Sequence, residues 1–169
     1  NFVEAKKLAT IMDILLADPQ IFIDKEGGHH RHDCRRVRVI GPVVFLSEVR
    51  QKIEKMLQNE ATTQVDIFAE YSLGIDCDLV DSVWRGKNLV VVTQCAHVWP
   101  QRLQSMRKIV LSGKSFDVEA KARRKAANSK SLDLNGSDGQ DGRAGESSGN
   151  LVILATKFLK ASRLCVELD

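Results

Sequence analysis

Between Asn128 and Asn150 the chain carries Ser, Gly, Asp and Asn almost without apolar residues, most densely at Asn135-Gly136-Ser137-Asp138-Gly139 and Gly145-Glu146-Ser147-Ser148-Gly149. Such a stretch has no apolar surface to offset a backbone ordering cost of roughly 1–2 kcal/mol per residue, so 128–149 reads as a flexible polar loop outside any core. Apolar residues return at once, as Leu151 to Leu159 and Leu164 to Leu168 on either side of Lys160 to Arg163. The core must therefore be built from the chain before the loop and completed by the tail after it. This predicts an N-terminal amphipathic helix over 1–20, one mixed domain over 21–127 and 150–169, and the long insertion between its parts.

Periodicity supplies the elements. From Phe2 to Asp18, Val3, Leu8, Ile11, Met12, Leu15 and Leu16 recur at helical spacing, with Glu4, Lys6, Lys7 and Asp13 on other faces, and Asp18-Pro19 ends the pattern. A short extended piece, Ile21 to Ile23, leads to Gly27-Gly28. Arg36 to Leu46 reads as a strand that enters the core, with a bend at Gly41-Pro42, because proline cannot donate a ladder hydrogen bond. Val49, Ile53, Met56 and Leu57 then mark a helix from Ser47 to Gln58, with Ser47 as its N-cap. Thr63 to Leu73 alternates with a period of two, which predicts a strand with one buried face. Gly86-Lys87-Asn88 launches a further strand from Leu89 toward Trp99-Pro100, and another covers Ile109 to Leu111 or Phe116 to Val118. The expected fold is α+β, with a mostly antiparallel β core, two or three helices and the long insertion.

With 169 residues the chain has the size of one domain, and 43% hydrophobic against 28% charged residues is an ordinary globular composition. No run reaches the 18 or so consecutive apolar residues of a membrane-spanning helix. A formal net charge of +3 is too small to define a polybasic protein, so charge placement matters more than the total. Cys34, Cys77, Cys95 and Cys165 include no CxxC pair, which favours reduced thiols and a reducing intracellular compartment, whether cytosol, nucleus or organelle matrix.

The densest chemical group is His29-His30-Arg31-His32-Asp33-Cys34. Its ligand types suit zinc, but its spacing matches no standard site, no second cluster follows, and Arg31, Arg35 and Arg36 oppose a cation. A solvated basic loop without metal or other cofactor is the expectation. Cys95 and His97 stand two apart on a strand and face the same way, as a thiolate and its base would, although this spacing is common by chance. No nucleophile elbow, Walker loop, zinc-protease or dinucleotide signature occurs, and the chain is expected not to be an enzyme.

Basic residues form two clusters. Arg35, Arg36 and Arg38 frame the start of one strand, and Arg102, Arg107, Lys108, Lys114, Lys121, Arg123, Arg124 and Lys125 crowd the region after Trp99 against only Asp117 and Glu119. Local excess of this kind is an electrostatic footprint for phosphate, although any one cluster more commonly serves to keep a surface solvated. Trp84, Trp99, Phe68 and Tyr71 lie in or beside strands, where they would either pack a core or stack on bases.

Three pieces of the chain resemble the single-strand-binding type of OB fold, in particular its divergent versions among kinetoplastid mitochondrial RNA-editing accessory proteins. Val37-Arg38-Val39-Ile40-Gly41-Pro42-Val43-Val44 is similar to the opening strand, Trp84-Arg85-Gly86-Lys87-Asn88-Leu89-Val90-Val91-Val92 to the basic glycine turn and its strand, and Leu151 to Leu159 to the closing strand. The helix from Ser47 stands where that family has its second strand, and Gln94-Cys95 replaces an expected glycine. The resemblance implies an OB-like barrel that binds RNA or single-stranded DNA, or serves as a protein scaffold, in a mitochondrial assembly. The resulting expectation is a noncatalytic RNA-binding or assembly subunit of a ribonucleoprotein in the mitochondrial matrix. Arg35, Arg36, Arg38, Arg102, Arg107, Lys108, Arg123, Arg124 and Lys125 would lie on phosphates, with Trp84 and Trp99 on bases. The alternatives are a protein-protein scaffold subunit, docking through its N-terminal helix, and an enzyme built on Cys95 and His97.

Overall fold

The computed structural model of the chain describes residues 2–15, 17–25, 35–100, 106–113 and 147–168. Residues 128–146 of the predicted loop, the histidine loop and the alternative strand at Phe116 to Val118 lie outside them, while Gly149, at the end of that loop, is buried and donates its N–H to Leu111 O at 2.8 Å. Helix α1 (Phe2–Leu15) ends ahead of Asp18-Pro19 and is followed by β1 (Gln20–Lys25), β2 (Arg35–Phe45), α2 (Leu46–Leu57), β3 (Thr62–Ile75), a 3-10 turn (Ser82–Trp84), β4 (Asn88–Val98), β5 (Met106–Val110), β6 (Leu151–Lys160) and β7 (Arg163–Glu167). The fold is α+β.

Five strands form one sheet in the order β1-β2-β3-β4-β6, and β5 pairs with β7 in a second, two-stranded sheet. Among the described strands only β1 and β2 pair antiparallel, while β2-β3, β3-β4, β4-β6 and β5-β7 are all parallel. This corrects the expected antiparallel core. The reason lies in the connections: β2 returns to β3 through α2, and β3 to β4 through the segment holding the 3-10 turn, so each strand restarts at the same end of the sheet. Alternating apolar residues fix which side of a strand is buried and carry no information about its direction.

Helix α2 supplies the main cover. Leu46, Val49, Ile53 and Leu57 are buried at three- and four-residue spacing, while Glu48, Gln51, Lys52 and Lys55 are exposed. They pack with Val37, Val39, Val65, Ile67, Leu89 and Val91 of the sheet, each such side chain contributing about 1.5–3 kcal/mol. Leu79, Trp84, Ile109 and Leu111 complete the same cluster. Ser47 is not the N-cap: Phe45 holds that position, and Ser47 instead gives its backbone N–H to Asp76 Oδ1 at 2.9 Å and its hydroxyl to Asp76 Oδ2.

At the middle of the sheet the buried side changes. In β4 the buried positions run Leu89, Val91, Thr93 and then Ala96, Val98, although the register against β6 is unbroken there. In β2 they run Val37, Val39, Gly41 and then Val44. On β3 an extra residue between Ala69 and Ser72 makes a bulge, which leaves Tyr71 exposed and restores burial at Leu73 and Ile75. Side chains alternate across a strand, so the sheet buries one face before this line and the opposite face after it.

The tail re-enters at a defined clamp. Asn88 Oδ1 accepts from the Asn150 backbone N–H at 3.0 Å and from its side-chain amide at 3.2 Å, and Leu89 N–H donates to Asn150 O at 2.8 Å. Gly86, with φ of 71°, makes the turn before it. β6 is thereby set at the edge of the sheet rather than at its centre.

Candidate protein-docking face

Before the bulge line, the sheet face turned away from α2 is only partly covered among the described residues. A row crosses it in register, Ile40 to Phe68 to Val92 to Leu154, from β2 to β6. These four side chains are 44%, 38%, 36% and 58% exposed. The next row on the same face is less open: Phe22 and Val152 are exposed, Arg38 and Val90 half-buried and Asp66 buried. Parallel strands that are apolar on both faces are ordinarily covered on both.

Where the covered and uncovered parts of this face meet, Ile40, Pro42, Phe68, Val92 and Gln94 line a groove of about 680 Å³, with Ala17, Asp18 and Glu70 at its margin. The chain leaving α1 therefore runs along the groove. The helix itself does not fill it: Val3, Leu8, Ile11, Met12 and Ile14 remain exposed. Pro19 fixes the exit point, because its ring lies so close to Gly41 that an added Cβ there would meet Pro19 at 3.2 Å.

The residues expected on phosphate and bases are spread over unrelated environments. Arg38 sits on this face between two carboxylates, 3.1 Å from Asp24 and 3.9 Å from Asp66, so much of its charge is already met. Arg35 and Arg36 are half-buried on β2, with Arg36 opposite Asp24 in the ladder. Arg107 is buried: its Nε donates to Trp99 O at 2.7 Å and its Nη1 lies 4.0 Å from Asp78. Lys108 pairs with Glu167 at 2.6 Å, which raises its pKa. Arg102, Arg123, Arg124 and Lys125 lie outside the described residues. Two of the expected contacts are buried: Arg107 is 5% exposed, and Trp84 is fully buried, with its indole N–H on Glu54 Oε1 at 3.1 Å and no ring face open to a base.

Trp99 differs, being 43% exposed with its ring centroid 4.3 Å from that of His97. That contact places the His97 imidazole against an indole, two positions along β4 from Cys95. Cys77, a second thiol near carboxylates, is pushed up to about 11 by burial and then by the Asp76 charge, so it stays protonated and unreactive at neutral pH. Among the described residues no cluster of His, Cys, Asp and Glu has a metal-binding arrangement, and no helix is long and apolar enough to cross a membrane.

Sequence reasoning did not pick out Ile40, Val92 or Leu154, and weighed Phe68 only as an aromatic. The signal was present: β2, β3, β4 and β6 carry apolar residues on the side opposite their core positions as well. Comparison with protein-family models, with curated proteins and with solved structures gives no match.

Proposed function

We propose that this chain is a noncatalytic protein-binding subunit that joins an assembly through the open face of its five-stranded sheet. The observation that carries the reading is the in-register row Ile40, Phe68, Val92 and Leu154, apolar across four adjacent strands and exposed. Contiguous exposed apolar surface on a folded domain marks an interaction site, since leaving it in water forgoes about 25 cal/mol per Å². A photo-crosslinking residue in place of Phe68, in the full chain and in native extract, tests the reading. It predicts a discrete protein adduct that Leu154→Asp abolishes. Adducts with nucleic acid alone, or none, would sink it.

A second reading, RNA binding, is supported by one feature, the exposed Trp99 ring beside His97, which offers a face for a base. Its mark is affinity for single-stranded RNA that falls with salt at a log-log slope of about −0.7 per neutralised phosphate and weakens on Trp99→Ala. No affinity at low salt would remove it.

A further inference from the structure

We infer that the carboxyl end of the parallel strands carries a site for single-stranded nucleic acid, in which His97 and Trp99 stack on bases and Lys157, Lys160 and Arg163 meet phosphates. The inference rests on the second of the two readings above and names the cations that reading lacks.

Parallel pairing brings the ends of four strands into one row, where Phe45, Gly74, His97 and Leu159 are neighbours in register. Gly74 leaves room in that row: an added Cβ would meet Phe45 Cε1 at 2.7 Å, so the Phe45 ring lies across Gly74 on the side of His97. Trp99 follows His97 by two positions, and the two ring centroids are 4.3 Å apart at a tilt of 37°. The Trp99 backbone is fixed on both sides, its N–H on Ile75 O at 2.9 Å and its carbonyl on Arg107 Nε at 2.7 Å. The ring is nevertheless 43% exposed, whereas Trp84, which packs the core, is fully buried. A rigidly held, outward-facing indole backed by a second ring is a stacking surface formed before any ligand arrives.

The cations lie on the neighbouring strand. Lys157 is opposite Cys95 in register, which puts it on the same side of the sheet as His97 and Leu159. Lys160 ends β6 with its Nζ 5.5 Å from the centre of the Phe158 ring, and Arg163 begins β7 after a turn in which Ala161 N–H donates to Val98 O at 3.1 Å. All three are exposed, and none has a carboxylate within 4.0 Å among the described residues. The carboxylates that follow β3 at this end are both engaged, Asp76 by Ser47 and Asp78 by the Lys108 backbone N–H at 3.1 Å and by Arg107. Free cations beside an open ring pair are the two parts of single-strand recognition, one for the backbone and one for the bases. A duplex keeps its base faces stacked away, and an acidic peptide would use the cations and leave the rings idle.

The test measures binding of the purified full chain to a labelled oligouridylate by fluorescence anisotropy at two salt concentrations. Lys157→Glu with Lys160→Glu and Arg163→Glu is expected to keep the native circular dichroism spectrum and to lower affinity at low salt at least about tenfold. It should also flatten the log-log salt slope by about 2, or about 0.7 for each phosphate released. Trp99→Ala is expected to lower affinity about tenfold and leave the slope unchanged. Lys52→Glu with Lys55→Glu, on the exposed side of α2, is the control, with an expected change below about twofold. Should the triple reversal lose its native spectrum, Lys157→Gln with Lys160→Gln takes its place, with an expected flattening of about 1.4. Affinity that weakens with Trp99→Ala but not with the β6 and β7 substitutions overturns the inference and leaves the RNA reading standing. Equal losses in the tail and α2 variants, or a duplex bound as tightly as the single strand, overturn it as well. No affinity at low salt removes both.

Discussion

Asp76, the residue after β3, takes both the backbone N–H and the hydroxyl of Ser47 in the first turn of α2, across 29 residues of sequence. The helix thus begins against a carboxylate supplied by the next strand, where a negative charge also meets the positive end of the helix. Asp76→Ala is expected to lower stability by about 1–2 kcal/mol in urea unfolding, the usual cost of losing a cap. Ser47→Ala should cost less, because the backbone N–H keeps its acceptor.

Arg107 separates a structural role from a phosphate-binding one. Its guanidinium is buried, holds the Trp99 carbonyl and faces Asp78. Arg107→Ala takes the Nε–H donor from that carbonyl and the cation from beside Asp78, whose Oδ1 keeps the Lys108 backbone N–H at 3.1 Å, and is expected to destabilise the fold by about 1–3 kcal/mol. A variant of native stability with weakened RNA affinity would return Arg107 to the phosphate-binding group.

The two tryptophans are expected to report different surroundings. Trp84 is fully buried and Trp99 is 43% exposed. In Trp99→Phe the remaining emission should be blue-shifted and resist acrylamide, and in Trp84→Phe it should be red-shifted and readily quenched. Trp84→Phe also removes the bond to Glu54, with an expected loss of about 1 kcal/mol.

The thiol of Cys77 gives a pH signature. Its pKa in the fold is raised to about 11 from an ordinary 9.0, by burial first and then by the Asp76 charge. Below pH 9 the thiol is protonated in both the folded and the unfolded chain and contributes no slope. Between 9 and 11 the unfolded chain loses this proton while the folded one keeps it, so stability falls as pH rises. Cys77→Ala should flatten that limb of the stability profile, and alkylation of native Cys77 should stay slow until well above pH 9.

Local periodicity made most elements legible: the stripe Val49, Ile53, Leu57 announces α2, and the alternation Val65, Ile67, Ala69 announces β3. The direction of strand pairing was not legible, because Val65 alternates with Asp66 in the same way in either orientation. The bulge after Ala69 was hidden too, since Tyr71 continues the alternation in sequence while standing exposed in the fold. The pairing of the basic clusters was hidden for a similar reason. Arg107 meets Asp78, and Arg38 meets Asp66, across about thirty residues, and a local count of charge contains neither partner. The signal for the exposed face lay in Phe68, Val92 and Leu154, opposite the core positions of their strands.

The most direct measurement of that face is the native mass of the full chain in native extract, compared with Phe68→Asp and Leu154→Asp. Both substitutions fall on exposed side chains, so the folded chain should keep its circular dichroism spectrum and melting behaviour. The account predicts that the unaltered chain migrates well above its own mass and that each substituted chain returns to the monomer mass. Unaltered and substituted chains that migrate together, at any mass, would contradict it.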